Sequence, residues 1–117
     1  MGLIYTPLQF VCTMSLTFEN ANLDHTTEYS LAARKVGDLK TADIIDQVHE
    51  DEKQHVQFGW KWLLRLKKPE HSPADAYCES VHWPLRPALA RGRVFCADAR
   101  EAAGLDSEFI RLLEASE

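Results

Sequence analysis

The sequence predicts an all-α fold in which two long antiparallel helices form a hairpin and shorter helices follow. Apolar residues recur at helical spacing along residues 8–36 and again along residues 41–67. Only residues 37–40 connect the two segments, and short connections join helices that pack antiparallel. Residues 69–92 contain four of the five prolines, so we expect this stretch to wrap over the hairpin.

The first helix should begin after a short lead-in and end at a glycine. Pro7 suits the first turn, where a helix does not need its N–H. Arg34 and Lys35 lie in the last turn, where positive charge complements the helix dipole. Gly37 follows and tolerates the left-handed conformation of a C-cap. The stripe that should face the core comprises Leu8, Cys12, Leu16, Leu23, Thr26, Ser30 and Ala33.

The second helix should begin at a cap formed by Thr41 and close at Lys67, just before Pro69. Trp60 and Trp62 lie on different helix faces, so we expect at least one of them to pack beneath the C-terminal wrap. The predicted core stripe of this helix comprises Ile45, Val48, Gly59, Trp62, Leu63 and Leu66.

The C-terminal part is predicted to contain short helices. One covers about residues 74–81, within the proline-rich stretch. Another covers about residues 94–103 and ends at Gly104. The last covers about residues 106–115 and starts at an Asp-Ser cap.

Length and composition are those of one globular domain. The 117 residues fit a single domain over 1–117, with the hairpin core at 8–67 and the wrap at 68–117. The net charge of −5 argues against nucleic-acid binding, which usually needs a basic face. No apolar run reaches the roughly 18 residues that a membrane-spanning helix requires, so we expect no membrane association.

The cysteines indicate a reducing compartment. The chain has three cysteines, which lie far apart in sequence: Cys12, Cys78 and Cys96. They form neither a CxxC pair for zinc nor a pattern typical of a disulfide framework. We therefore expect a cytoplasmic protein.

Carboxylates interrupt both core-facing stripes. Glu19 lies on the stripe of the first helix, and Glu52 and His55 lie on that of the second. An unpaired buried carboxylate costs roughly several kcal/mol, so such a group loses its charge, finds a partner or binds a cation. Three groups able to bind metal are therefore predicted to meet at one seam.

The spacing of these residues is typical of a carboxylate-bridged metal site. Glu52 and His55 form a Glu-x-x-His pair, side by side on one helix, and Glu19 from the neighbouring helix could bridge two ions. Di-iron and di-manganese bundles such as the ferritin-like proteins use one Glu from each of two helices and Glu-x-x-His from each of the other two. Mixed carboxylate and imidazole ligands suit iron or manganese, and zinc can also occupy them.

This chain supplies half of that ligand set. A ferritin-like bundle with a two-metal site shared between chains would arise if a second copy formed a homodimer. Alternatively, a missing N-terminal half-bundle would supply the other ligands. Asn22 and His49 lie beside the three ligands and are weaker candidates for hydrogen-bonding to them. The opposing interpretation is a solvated helix face, which the acidic run at residues 50–52 favours.

The same residues resemble a known family. Residues 17–24 (TFENANLD), 49–63 (HEDEKQHVQFGWKWL) and 99–106 (AREAAGLD) are similar to segments of the ferritin-like proteins grouped as domain of unknown function 455. The resemblance implies a ferritin-like fold with metal ligands at the positions of Glu19 and the Glu-x-x-His pair. Members of that family are normally longer, with an N-terminal half that carries its own ligands, and no reaction is established for them.

These observations lead us to expect a non-haem di-iron oxidoreductase or oxygenase of unknown substrate. Iron would be held by Glu19, Glu52 and His55, with an open coordination position for dioxygen. Two alternatives stay open. A structural or protein-interaction half-bundle would keep the fold without metal. Iron storage or ferroxidase action would use the same site in a larger assembly.

Overall fold

The computed structural model describes residues 6–117, and the all-α prediction is confirmed for them. Helices and connecting segments make up the described chain, without β-strands. None of these helices is long and apolar enough to cross a membrane. In chain order the elements are α1 (Pro7–Phe10), a π-helical segment (Val11–Glu19), α2 (Asn20–Lys35), α3 (Leu39–Leu66), α4 (Pro73–Ser80), a 3-10 turn (Pro87–Ala90), α5 (Ala97–Ala102) and α6 (Ser107–Ala115).

The first long helix contains a π-helical segment that its apolar spacing did not predict. The junction residues Val11 (φ −67, ψ −35) and Asn20 (φ −62, ψ −44) keep right-handed helical angles, so α1, the π segment and α2 continue as one helix. The side-chain hydroxyl of Thr17 donates a hydrogen bond to the backbone carbonyl of Cys12, five residues earlier, at 2.7 Å. Wider π turns change the direction of the side chains that follow, and they occur often at functional sites. This one ends at Glu19.

The turn between the long helices confirms one predicted cap and corrects another. Gly37 has φ +82, as expected for a left-handed C-cap. The prediction that Thr41 caps α3 was wrong, because the carboxylate of Asp38 accepts hydrogen bonds from the Thr41 amide at 3.1 Å and hydroxyl at 2.7 Å. Asp38 is therefore the residue that caps the free backbone amides of the first turn, and α3 starts at Leu39, two residues before Thr41.

The C-terminal wrap packs on one face of the hairpin through aromatic side chains. Val56, Trp60 and Leu63 of α3 are buried there against Tyr77 of α4 and Phe109 of α6. The ring centroids of Trp60 and Phe109 are 5.3 Å apart, and Tyr77 meets Phe109 edge-on at 4.9 Å. The prediction that one tryptophan of α3 packs beneath the wrap is therefore confirmed for Trp60.

The predicted core stripe of α3 was partly wrong. Leu63 and Gly59 are buried, but Val48, Trp62 and Leu66 are 44%, 37% and 37% exposed. Apolar residues line two faces of α3, and the wrap covers only the face that carries Trp60. The other apolar face is left open.

The short helices begin and end near their predicted positions, with one exception. Gly104 has φ +94 after α5, and Asp106 caps α6 by accepting a hydrogen bond from the Phe109 amide at 2.8 Å. Helix α5 starts later than predicted. The Cys96 amide donates to Asp24 of α2 at 2.7 Å, which holds the preceding segment against the hairpin in a non-helical conformation.

A buried ion pair fixes the wrap to the hairpin. The guanidinium of Arg100, which is fully buried, donates to both carboxylate oxygens of Asp24, at 2.6 and 3.0 Å. It also donates to the backbone carbonyls of Asn20 and Ala90. The Gly92 amide donates to the same carboxylate at 2.8 Å. Bidentate, charge-assisted bonds of this kind are strong and directional, so α2 and α5 are held in one geometry.

The same contacts hold the pKa of Asp24 below its usual value. Burial alone would raise this pKa, but the hydrogen bonds and the charge of Arg100, together with the Gly92 and Cys96 amides, outweigh it. The carboxylate is therefore charged in the folded protein throughout the neutral range.

We predict that Asp24→Asn lowers the free energy of unfolding by about 3–5 kcal/mol, because it leaves the buried Arg100 without a counter-charge. Urea unfolding followed by circular dichroism measures the loss. Glu28→Gln is the matched control: Glu28 pairs with Arg93 at the surface, and exposed pairs contribute less than about 1 kcal/mol. Equal losses in the two variants would contradict the assignment.

We also predict an acid-side loss of stability that depends on Asp24. Its folded pKa lies below the unfolded value of about 3.9, so its contribution is complete above that value and disappears as the pH falls through the folded pKa. Melting temperatures measured between neutral and strongly acidic pH should fall less steeply in Asp24→Asn than in the unmodified chain. Parallel pH profiles would exclude this carboxylate as a source of the loss.

Candidate metal centre

The structure brings the three side chains predicted as ligands into one cluster. Glu19 lies at the end of the π segment, and Glu52 and His55 lie one turn apart on α3. The Nδ1 atom of His55 is 3.1 Å from Oε2 of Glu19 and 3.1 Å from Oε1 of Glu52. One ligand atom from each of the three residues lies within 4.8 Å of the others. We refer to Glu19, Glu52 and His55 as the ligand trio.

The ligand trio lies at the edge of the hairpin interface. The Glu52 side chain is 12% exposed, that of Glu19 is 30% exposed and that of His55 is 53% exposed. Glu52 is thus enclosed between the helices, whereas His55 opens onto the face of α3 that the wrap leaves uncovered.

The two weaker candidates occupy different places. Asn22 donates a hydrogen bond from Nδ2 to Oε2 of Glu52 at 3.2 Å, so both carboxylate oxygens of Glu52 have partners. His49 pairs instead with the hydroxyl of Thr26, at 2.7 Å from Nδ1. Asn22 therefore contacts the ligand trio directly, and His49 lies one turn away from it along α3.

These contacts are part of a regular series across the hairpin, which we call the polar ladder. Each rung joins one residue of the first long helix to one residue of α3. From rung to rung the residue number rises on the first helix and falls on α3, as antiparallel packing requires. The rungs are Glu19–His55, Asn22–Glu52, Thr26–His49 and Ser30–Asp46. Thr26 and Ser30, which were predicted to lie on the core stripe, are buried, and each pairs with a polar side chain of α3.

A close contact between backbones sets the spacing at the ligand trio. One turn beyond His55, a Cβ atom added at Gly59 would lie 2.2 Å from Cβ of Ser15 in the π segment. Real Cβ atoms do not approach so closely, so only glycine fits there. Gly59 therefore allows the π segment and α3 to approach closely, one turn from the ligand trio.

The donor set is compatible with one metal ion. In octahedral coordination, ligand atoms about 2.1 Å from the cation lie roughly 3 Å apart when they are adjacent and roughly 4.2 Å apart when they are opposite. The two 3.1 Å separations around His55 match adjacent ligands, and one ligand atom from each of the three residues lies within 4.8 Å of the others. Two carboxylates and an imidazole suit iron, manganese or zinc. A second ion would need ligands from outside the described chain.

The comparisons with known proteins give one match. The model of the family described as "Protein of unknown function (DUF455)" matches residues 3–111. No curated protein and no solved structure is detectably similar to the chain.

We predict that Gly59→Ala lowers the free energy of unfolding by about 1–3 kcal/mol, because its Cβ overlaps Ser15 and forces the helices apart. Ser15→Gly removes the overlapping Cβ and hydroxyl. Thermal unfolding of the four members of this double-mutant cycle should show that Gly59→Ala costs less in the Ser15→Gly background. The same cost in both backgrounds would be inconsistent with the close contact.

Proposed function

We propose that this chain, which belongs to the DUF455 family of proteins of unknown function, binds iron through Glu19, Glu52 and His55 as half of a di-metal carboxylate centre. One observation carries the proposal: ligand atoms from two helices converge within 4.8 Å of one another. A lone Glu on one helix and Glu-x-x-His on the next is half of the ligand set of ferritin-like di-metal bundles.

Each residue has a defined part in this proposal. Glu52 and His55, adjacent on α3, would hold one ion, and Glu19 would reach it from the π segment. Asn22 positions the Glu52 carboxylate through the 3.2 Å hydrogen bond, as groups around metal ligands commonly do. Iron held by such ligands with an open position supplies dioxygen chemistry, so the proposed activity is that of an oxidoreductase or oxygenase.

The open face of the hairpin suggests how the centre would be completed. Beside His55 lies an apolar groove of about 510 Å³, lined by Pro7, Phe10, Val11, Phe58, Trp62 and Leu66. Phe10 and Phe58 are 53% and 60% exposed, and exposed apolar patches of this kind mark interaction surfaces. A second copy related by a two-fold axis would cover the groove and raise the ligand count to four carboxylates and two imidazoles. The helices of a longer protein would do the same.

A non-catalytic interaction module is the second candidate function, and the same apolar groove favours it. In that case the hydrogen bond between His55 and Glu52, with the 3.1 Å contact of the same ring nitrogen with Glu19, would hold the ligand trio without a cation. The groove would then bind a partner protein. A stable monomer that retains no iron after reconstitution would favour this candidate over the first.

The proposal predicts about one iron per chain after anaerobic reconstitution with ferrous iron and desalting, if two chains share a two-ion centre. Elemental analysis measures the ratio. Glu52→Ala should lose most of this iron, whereas Glu50→Ala should keep it, because Glu50 pairs with Lys53 on the surface of the same helix. Equal iron contents in the two variants, or none in the unmodified chain, would reject the metal centre.

The proposed homodimer predicts a solution mass of twice 13.3 kDa for the iron-loaded protein. Light scattering coupled to size-exclusion chromatography measures it. Trp62→Glu places a charge in the apolar groove and should yield monomers. Trp83→Glu is the control, since Trp83 is 83% exposed and lies outside the groove. A monomeric unmodified chain would exclude the two-fold arrangement and leave the longer protein as the source of the missing ligands.

A further inference from the structure

A second cavity lies where α5 meets the hairpin, and the proposed metal centre does not use it. This cavity, the α5 cleft, has a volume of about 530 Å³, and its polar lining residues are Thr27, His49, Lys53, Cys96 and Asp98. It shares no lining residue with the apolar groove. Small-molecule sites typically have volumes of about 300–1,000 Å³ and a few convergent polar groups, so the cleft has a suitable size.

The hydrogen bonds of Thr26 determine what His49 can offer to the cleft. The Thr26 hydroxyl lies 2.7 Å from the Asn22 carbonyl, which can only accept, so the single hydroxyl hydrogen points there. The hydroxyl must then accept from Nδ1 of His49, at 2.7 Å. In the neutral ring the other nitrogen, Nε2, is left as an acceptor, and it has no hydrogen-bond partner within residues 6–117. Burial and the charge of Lys53 lower the pKa of His49, which favours this neutral ring.

Opposite charges line the cleft without pairing with each other. Lys53 extends from α3 and forms its ion pair with Glu50 on its own helix, at 3.1 Å. Asp98 lies in the first turn of α5, and its carboxylate has no ion pair or hydrogen bond with any other described residue. A surface pair such as Lys53–Glu50 contributes less than about 1 kcal/mol, so a ligand can recruit the lysine at little cost.

The cleft therefore presents one cationic donor from α3 and two acceptors, the Asp98 carboxylate and the Nε2 atom of His49. A simple anion would be repelled by Asp98, and a simple amine would be repelled by Lys53. A molecule that carries both an ammonium group and a carboxylate satisfies both charges at once. Phe95 adds an apolar wall for the rest of such a molecule.

We propose that the α5 cleft binds a small zwitterion with an ammonium group and a carboxylate, of the size of an amino acid. Lys53 holds the carboxylate, and Asp98 and Nε2 of His49 accept hydrogen bonds from the ammonium group. This site is independent of iron, because none of the ligand trio lines the cleft.

Backbone amide chemical shifts measured during titration with each common α-amino acid test the site. We expect at least one of them to give saturable shifts at residues 96–99. Acetate and ethylammonium carry one charge each and should bind at least about tenfold more weakly. Asp98→Asn and Lys53→Gln should each weaken binding about five- to tenfold. Glu101→Gln on α5 and Lys61→Gln on α3 are exposed controls on the same helices and should leave it unchanged.

Three results would overturn the proposal. The first is that no amino acid gives saturable shifts in the cleft. The second is acetate binding as tightly as the amino acid, which would indicate a simple anion site. The third is unchanged binding in both Asp98→Asn and Lys53→Gln. Glu52→Ala should retain amino-acid binding even where it loses iron, so the two proposals can fail separately.

Discussion

Polar side chains pair across the interface of the two long helices in a regular series, and this pairing organises the hairpin. Of the members of this series, Thr26 and Ser30 are buried. A buried hydroxyl without a hydrogen bond costs roughly 1–3 kcal/mol, so the alignment of the two helices that gives Ser30 its partner Asp46 is favoured over its neighbours. In this alignment every rung of the polar ladder forms, and a shift of one helix by one turn would break all the rungs together. The position of Glu19 against His55 at 3.1 Å follows from the same register that pairs Thr26 with His49.

The wrap gives the hairpin two different faces. Arg100 and Asp24 hold α5 against α2, and Trp60 meets Phe109 beneath α6, so one face of α3 is buried by the chain itself. The opposite face keeps Phe58 60% exposed next to His55. The ligand trio opens toward the uncovered face and the α5 cleft lies on the covered side, so the two proposed sites lie on chemically distinct surfaces.

Features set by local physical chemistry could be predicted from the sequence. The glycine caps, the Asp106 cap and the i, i+3 geometry of Glu52 and His55 depend on a few adjacent residues, and the structure reproduces them. Features set by distant partners could not. Periodicity alone cannot tell which of two apolar faces of α3 the wrap will cover. Arg100 resembles an ordinary surface charge until Asp24, far away in sequence, is placed beside it. The π segment has no simple sequence signature, although it orients Glu19.

Anomalous X-ray diffraction at the iron absorption edge, from crystals of the iron-loaded protein, tests the metal centre most directly. We predict a peak about 2.0–2.3 Å from a carboxylate oxygen of Glu19, a carboxylate oxygen of Glu52 and a ring nitrogen of His55. A peak elsewhere, or a loaded crystal in which these three side chains point away from the iron, would contradict the assignment.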